Sequence, residues 1–274
     1  MIAKAFKEAI TRGNRVYGTL ITCPMPFWAP YSAAIGLDFV FIDTEHIPLD
    51  RCQLSGMCHL FKSLNMAPFV RISGNDPELA RQALDAGAQA IMAPYTETAA
   101  ETLALAGAVK FRPLKGERLR QALANGSTGN QKLDRAVAQR CRDHVLFANI
   151  ESKAAIDHLD EILSIPYLDG IIIGPSDLSH SLNLPDEYDH PAFIEIVDDI
   201  IRKTKTCKKS VGYHKGYAGK GIEQEIDWIK KGMNVIIHEA DVIAFCEKMS
   251  HDIGRIKNAI GDFVAMDELK QQAI

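Results

Sequence analysis

ANIESKAAIDHLDEILSIPYLDGIIIGPSDLS, residues 148–179, is the stretch from which the fold can be read. Two short apolar runs, Val145–Ile150 and Gly170–Ile173, have the length of buried strands. Between them Ala155, Ile156, Leu159, Ile162 and Leu163 recur at helical spacing. A strand–helix–strand crossover makes the two strands parallel. Glu151 and Asp177 each follow one of the runs, so they leave the same end of one sheet. Two carboxylates facing one cavity repel each other unless a proton or a cation lies between them. Hard divalent cations take oxygen ligands, and the pair reads as a metal site. Each residue also has a plainer reading. Glu151 suits the first turn of a helix, and Asp177 suits the N-cap of a helix starting near Leu178.

Outward from this stretch the same alternation repeats. Val16–Thr22, Phe39–Asp43, Pro68–Arg71, Ala90–Ala93, Ser210–Tyr213 and Asn234–His238 are further strand candidates, each followed by a helical pattern. Asp76 before Pro77 has the form of a helix start, and Gly87 of its end. Runs such as FVFID, IMA and GIII are apolar at every position, as in strands covered on both faces. Eight such units suit a (β/α)8 TIM barrel, expected as a single domain over residues 1–262 with a polar C-terminal tail at 263–274. An open doubly wound sheet is the alternative. No Gly-x-Gly-x-x-Gly opens a helix after a strand, which leaves a dinucleotide site without support. Phe111–Asn130 shows no clear period and reads as a long loop, either functional or disordered. Its Arg118 and Arg120 are candidate lid or selectivity residues. The segment 212–221, GYHKGYAGKG, reads as a phosphate cradle or a flexible loop.

The composition narrows the class. Of 274 residues 47% are hydrophobic and the formal net charge is −4, with no basic block of the kind that grips nucleic acid. No apolar run is long enough to span a bilayer. The amphipathic N-terminus is interrupted by Glu8 and reads as a helix rather than a leader. Six cysteines without a CxxC suit reduced thiols and a cytoplasmic protein.

In a barrel, polar residues just after strands share one face. Here they are His46, Arg71, Pro94-Tyr95, Glu151 and Asp177. Such a set suits the enolate of a 2-oxo acid. A metal would act as Lewis acid on its oxygens. Arg71 would steady the developing negative charge. His46, whose ordinary pKa lies near neutrality, would move the proton. The plainer alternatives are a surface role for His46 and a structural clamp from Arg71 to Asp43 or Asp76.

Asp43-Thr44-Glu45-His46, Val70-Arg71 with Asn75-Asp76-Pro77, Leu84-Asp85-Ala86-Gly87-Ala88, Asn149-Ile150-Glu151 and Gly174-Pro175-Ser176-Asp177-Leu178 occur in one order and spacing. In this the chain, from about residue 15 to about 245, resembles the HpcH/HpaI aldolases. These are divalent-metal (class II) pyruvate aldolases of the phosphoenolpyruvate/pyruvate barrel superfamily. The resemblance implies reversible cleavage of a 4-hydroxy-2-oxo acid to pyruvate and an aldehyde. It implies that Glu151 and Asp177 bind Mg²⁺, Mn²⁺ or Co²⁺. The Gly174-Pro175-Ser176-Asp177 turn would hold the pyruvate carboxylate through the backbone N–H groups of Ser176 and Asp177. His46 would be the base, Asp85 would raise its basicity, and Arg71, with Asp43 in the catalytic set, would stabilise the enolate. Asn149 stands where many relatives carry Gln, a substrate contact. The last helix would be exchanged between neighbours in a homohexamer. Two segments depart from the family pattern: Lys115–Arg120 in place of Gly-x-Arg-Gly, and His238-Glu239-Ala240-Asp241 in place of Gly/Ser-x-Asp. Both fall where aldehyde selectivity would be set. Two further readings remain open. One is a citrate-synthase-like condensation of oxaloacetate with an acyl-CoA, with Arg118 and Arg120 on the extra carboxylates or on CoA. The other is a barrel that binds a 2-oxo acid without turnover.

Overall fold

Eight parallel strands close on themselves in sequence order. The computed structural model describes residues 2–215 and 221–262. The strands are β1 (Val16–Ile21), β2 (Phe39–Asp43), β3 (Ala67–Arg71), β4 (Ala90–Ala93), β5 (Val145–Ile150), β6 (Gly170–Ile173), β7 (Ser210–His214) and β8 (Val235–Ala240), with β8 paired back to β1. The barrel expectation holds and the open sheet does not. Helix α1 (Ile2–Arg12) precedes β1. Helices α2 (Trp28–Ala34), α3 (Arg51–Ser63), α4 (Pro77–Ala86) and α5 (Ala99–Lys110) follow β1 to β4 in turn. Next come α6 (Gly116–Asn125) and α7 (Gln131–Cys141) before β5, and α8 (Lys153–Asp157) with α9 (Leu159–Ser164) before β6. Helices α10 (Pro175–Ser181) and α11 (Pro191–Thr206) lead to β7, α12 (Ile222–Lys231) to β8, and α13 (Asp241–Ile260) follows β8.

The unbroken apolar strands are explained by two cores. Successive side chains of a strand point to opposite faces. Phe39 and Phe41 turn inward with Phe69, Phe147, Val235 and Ile237. Val40 and Ile42 turn outward, beneath the helices, with Val70, Ile91, Ile171 and Ile173. The inner rings touch edge on or tilted, with Phe41 and Phe69 centroids 5.5 Å apart. Phe6 and Ile10 of α1 join this inner core, and Phe6 lies 5.6 Å from Phe39. Helix α1 therefore stoppers the end where the strands begin. At that end half-buried Asp169 pairs with Lys7 of α1 and, at 2.5 Å, with Lys110 of α5. The other end stays open.

Local signals act as the sequence suggests around α4. Asp76 accepts a bond from Glu78 N at 2.7 Å, Pro77 opens the helix, and Gly87 ends it at φ 113°. Elsewhere the structure differs. Residues 116–125 and 131–141, read as part of a loop and a short helix, form α6 and α7. Gly126 closes α6 in the left-handed conformation and Asn130 caps α7. Their few apolar residues, Leu119, Ala122, Leu123 and Val137, pack with Phe111 and Leu114 in a small separate cluster. The single helix expected over 152–163 is split at His158. Residues 216–220 of the glycine-rich segment and the tail at 263–274 lie outside the described residues. Among the described residues no helix is long and apolar enough to cross a membrane.

Helix α13 buries none of its residues. Val242, Phe245, Met249, Ile253, Ile256 and Ile260 recur every three or four positions along it, all exposed.

Two glycines test this packing. A Cβ on Gly170 would lie 2.3 Å from the Ser210 carbonyl oxygen and 2.5 Å from the Phe147 ring, whereas one on Gly56, in α3, would meet nothing within 4 Å. Gly170→Ala is expected to destabilise the barrel by about 1–3 kcal/mol. Gly56→Ala should stabilise it by about 0.5–1 kcal/mol through helix propensity alone. Urea unfolding of both variants measures the difference.

Candidate active site

The open end gathers side chains from six strand ends, those of β2 to β7. Asp43 ends β2 and Arg71 ends β3, directly across from it in the strand register. Arg71 donates from Nε to Asp43 Oδ1 at 2.8 Å and from a terminal nitrogen to Oδ2 at 2.5 Å. Glu45 Oε2 lies 3.1 Å from the same Nε. Both members of the Arg71–Asp43 pair are almost wholly buried. Burial works against the Asp43 charge, yet the bonds from Arg71 hold its carboxyl below the usual range. Glu45 goes the other way: burial outweighs Arg71 and raises its pKa. Arg71 is thus the clamp on Asp43 and also a cavity-lining cation. Asp76, the other candidate partner, is occupied in capping α4.

The two acids read as metal ligands meet through Tyr95. Glu151, 1% exposed, follows β5 and precedes Ser152, the N-cap of α8, so it is not a first-turn helix acid. Its Oε1 accepts from the Tyr95 backbone N–H at 2.7 Å, and its Oε2 accepts from Asn149 Nδ2. Asp177 lies inside the first turn of α10, not at its N-cap, which is Gly174. The Tyr95 hydroxyl donates to Asp177 Oδ1 at 3.0 Å. To reach both acids Tyr95 takes a left-handed φ of 44°. Gly174 leaves the necessary room, since a Cβ there would fall 2.5 Å from Glu151 Oε2. Burial, then the negative charges of Glu45 and Asp177, push the Glu151 pKa up to about 7.

A cavity of about 520 Å³ joins these groups. His46, Arg71, Glu151, Gly174, Pro175, Ser176 and Asp177 line it, together with Asp186, Tyr188, His214 and Lys215. His46 is exposed on the loop after β2 and faces this space. Three expected residues are elsewhere. Asp85, on α4, is exposed and pairs with Arg112 in a separate cleft with Glu78 and Arg140. Within this chain it is not beside His46. Arg118 and Arg120 are exposed on α6. That helix is joined to α5 by Phe111, whose ring packs 4.9 Å from Tyr167, just before β6 begins. The two arginines therefore flank the stoppered end of the barrel, and in this chain they form no lid over its mouth. Tyr95 was placed on the correct face by its position after a strand, but nothing in its neighbours announces a bridging role. His214, which ends β7, and Lys215, which follows it, face the same cavity, a place that the reading of 212–221 as a phosphate cradle or flexible loop does not give them.

Among the described residues no group of three or more His, Cys, Asp or Glu side chains converges as a closed metal cage. The residues present do fit a hard divalent cation with open positions. The donors are carboxylate oxygens, burial and the neighbouring acids push the Glu151 pKa up to about 7, and Asn149 Oδ1 is buried without a partner beside them.

An all-parallel barrel with two such acids, a clamped arginine and a histidine at its mouth gathers the kinds of group that a metal-assisted reaction of a 2-oxo acid would use. The family model of the HpcH/HpaI aldolase/citrate lyases matches residues 25–214. The 2-keto-3-deoxy-L-rhamnonate aldolase of Escherichia coli K12 is 29% identical over 259 residues, 94% of this chain and 95% of that one. The crystal structure of an HpcH/HpaI aldolase from Desulfitobacterium hafniense DCB-2 is similar at a TM-score of 0.78 and 23% identity, covering 92% of this chain and 96% of that one. The crystal structure of citrate synthase SbnG gives the same score and identity over 94% and 98%. This chain belongs to the HpcH/HpaI aldolase/citrate lyase family. Its class is that of the divalent-metal pyruvate aldolases, which are carbon–carbon lyases.

The raised Glu151 pKa has a definite sign. Stability present below the ordinary value of 4.5 is lost as pH rises through about 7 in chelator-treated protein. Glu151→Gln should flatten that loss, read from melting temperatures between pH 4 and 8. Because a cation displaces the same proton, Mn²⁺ affinity should rise about tenfold per pH unit up to 7 and then level. Gly174→Ala should lower that affinity at every pH. Calorimetric titration checks both.

Proposed function

We propose that this chain cleaves a 4-hydroxy-2-oxo acid, reversibly, to pyruvate and an aldehyde. The observation that carries the reading is the single cavity in which Tyr95 joins Glu151 to Asp177 beside Arg71 and His46. Bound at Glu151 and Asp177, a Mg²⁺, Mn²⁺ or Co²⁺ ion would supply Lewis acidity to the carboxylate and keto oxygens of the substrate. His46 takes the proton of the C4 hydroxyl. The C3–C4 bond then breaks, the aldehyde departs, and the electron pair remains on the pyruvate half as an enolate, whose C3 takes up the proton that His46 removed to give pyruvate. Arg71, its plane fixed by Asp43, faces the negative charge that develops there. Its burial makes this interaction stronger than it would be in water. The backbone N–H groups of Ser176 and Asp177, in the first turn of α10, are the donors for the substrate carboxylate. The citrate-synthase-like reading loses support because Arg118 and Arg120, its proposed carboxylate ligands, flank the other end.

The proton step can be isolated. With added Mn²⁺ the protein should exchange the methyl protons of pyruvate with deuterated water, followed by proton NMR. His46→Ala should slow exchange by about 10²-fold or more, and Glu151→Ala or Asp177→Ala should abolish it. A wild type that exchanges nothing with any of the three ions would falsify the aldolase reading.

The apolar stripe of α13 supports an oligomer, with a second copy of the chain covering that helix in a cytoplasmic homohexamer. Stripes of this kind mark association surfaces. Phe245→Glu with Ile253→Glu should therefore yield a smaller species in sedimentation velocity. An unchanged sedimentation coefficient would remove α13 from the interface.

A further inference from the structure

Two cavity residues have no part in the chemistry above. His214 ends β7 with its ring 4.8 Å from that of Phe41, and its Nε2 is buried without a hydrogen-bond partner. Burial, then the Arg71 charge, push its pKa down to about 3, so the ring is neutral. Lys215 follows it, 9% exposed, and lines the same space. Its Nζ lies 2.7 Å from Glu239 Oε1.

Glu239 reaches this position through an irregularity in β8. Pairing with β1 slips between Gly18–Ile237 and Leu20–Ala240. Glu239 sits inside the slip at a left-handed φ of 44°, its carbonyl accepting from Thr19 Oγ1 at 2.8 Å. The preceding His238 pairs with Glu225 of α12 at 2.7 Å. Such bulges re-aim side chains, and strain at a non-glycine residue points to a function that holds it there.

The chemistry of this wall favours one kind of ligand. A lysine bound to a glutamate presents a donor beside an acceptor, with no net charge. A hydroxyl answers both, since it accepts and donates at once. It also answers His214 Nε2 in either tautomer. A carboxylate fits poorly, because Glu239 already balances the Lys215 charge and Asp186, on the same cavity, adds like charge. Resting on the aldolase reading, we propose that Lys215 and His214, with Glu239 paired to the lysine, form the subsite for the aldehyde half of the substrate. That half carries uncharged hydroxyls in place of a second carboxylate.

The test compares aldehydes in the aldol direction, with pyruvate and Mn²⁺. Glyceraldehyde supplies hydroxyls, propionaldehyde supplies none, and succinic semialdehyde supplies a carboxylate. Wild type should favour glyceraldehyde over both by at least about tenfold in kcat/KM, since a site built to bond a hydroxyl rejects analogues without one. Lys215→Met should collapse that preference, chiefly through KM, and Lys215→Arg should restore part of it. Glu239→Gln leaves the lysine charge unbalanced and should shift preference toward succinic semialdehyde. Each ratio is internal to one variant, so partial misfolding does not mimic the effect. A wild-type preference for succinic semialdehyde, or ratios unmoved by both substitutions, overturns the subsite. Pyruvate proton exchange is run alongside. Exchange with a flat aldehyde profile removes the subsite and leaves the aldolase reading standing, while no exchange and no addition removes both.

Discussion

A carboxylate held almost out of water, with like charges for neighbours, organises the mouth of this barrel. Glu151 has little water to spread its charge into, and Glu45 and Asp177 oppose it further. Unaided, the site settles by keeping a proton. A divalent cation would remove the conflict more completely, because it would balance both acids and still have positions for other oxygens. Affinity for such an ion would thus derive from how uncomfortable the site is without it. That discomfort is built by the fold: β5 and β6 bring the acids to one rim, and the missing side chain at Gly174 lets them approach.

Arg71 shows the opposite arrangement. Its charge is matched before any substrate arrives, by Asp43 through two parallel bonds and by Glu45 close at hand. Breaking a buried pair of this kind is strongly unfavourable, so the guanidinium has one orientation. An enolate bound here would therefore meet a cation that need not reorganise. Alternation along β2 and β3 makes this possible, since the same strands that point Phe41 and Phe69 into the inner core end in the two charged partners.

Much of this was legible in the sequence. Strands buried on both faces appear as unbroken apolar runs, and a residue just past such a run is at the mouth whatever else surrounds it. That reasoning placed His46, Arg71, Tyr95, Glu151 and Asp177 together. It failed where the deciding contact is remote or small. Helices α6 and α7 bury few apolar residues against a satellite cluster, so charged residues mask their period. Arg118 and Arg120 looked like a lid because their distance along the chain says nothing about which end of the barrel they occupy. The Asp85 motif, likewise, fixes a position on α4 and not a partner. The turn that aims Glu239 depends on a slip between β1 and β8, which no local pattern records.

Tyr95 carries a consequence of its own. One residue holds a backbone conformation that glycine adopts freely, and at the same time supplies an amide to one acid and a hydroxyl to the other. These demands pull in different directions. Glycine would relax the loop and let go of Asp177; phenylalanine would keep the shape and lose the same bond. The loop after β4 is therefore a place where a sturdier protein and a better-aligned one cannot be had by the same substitution.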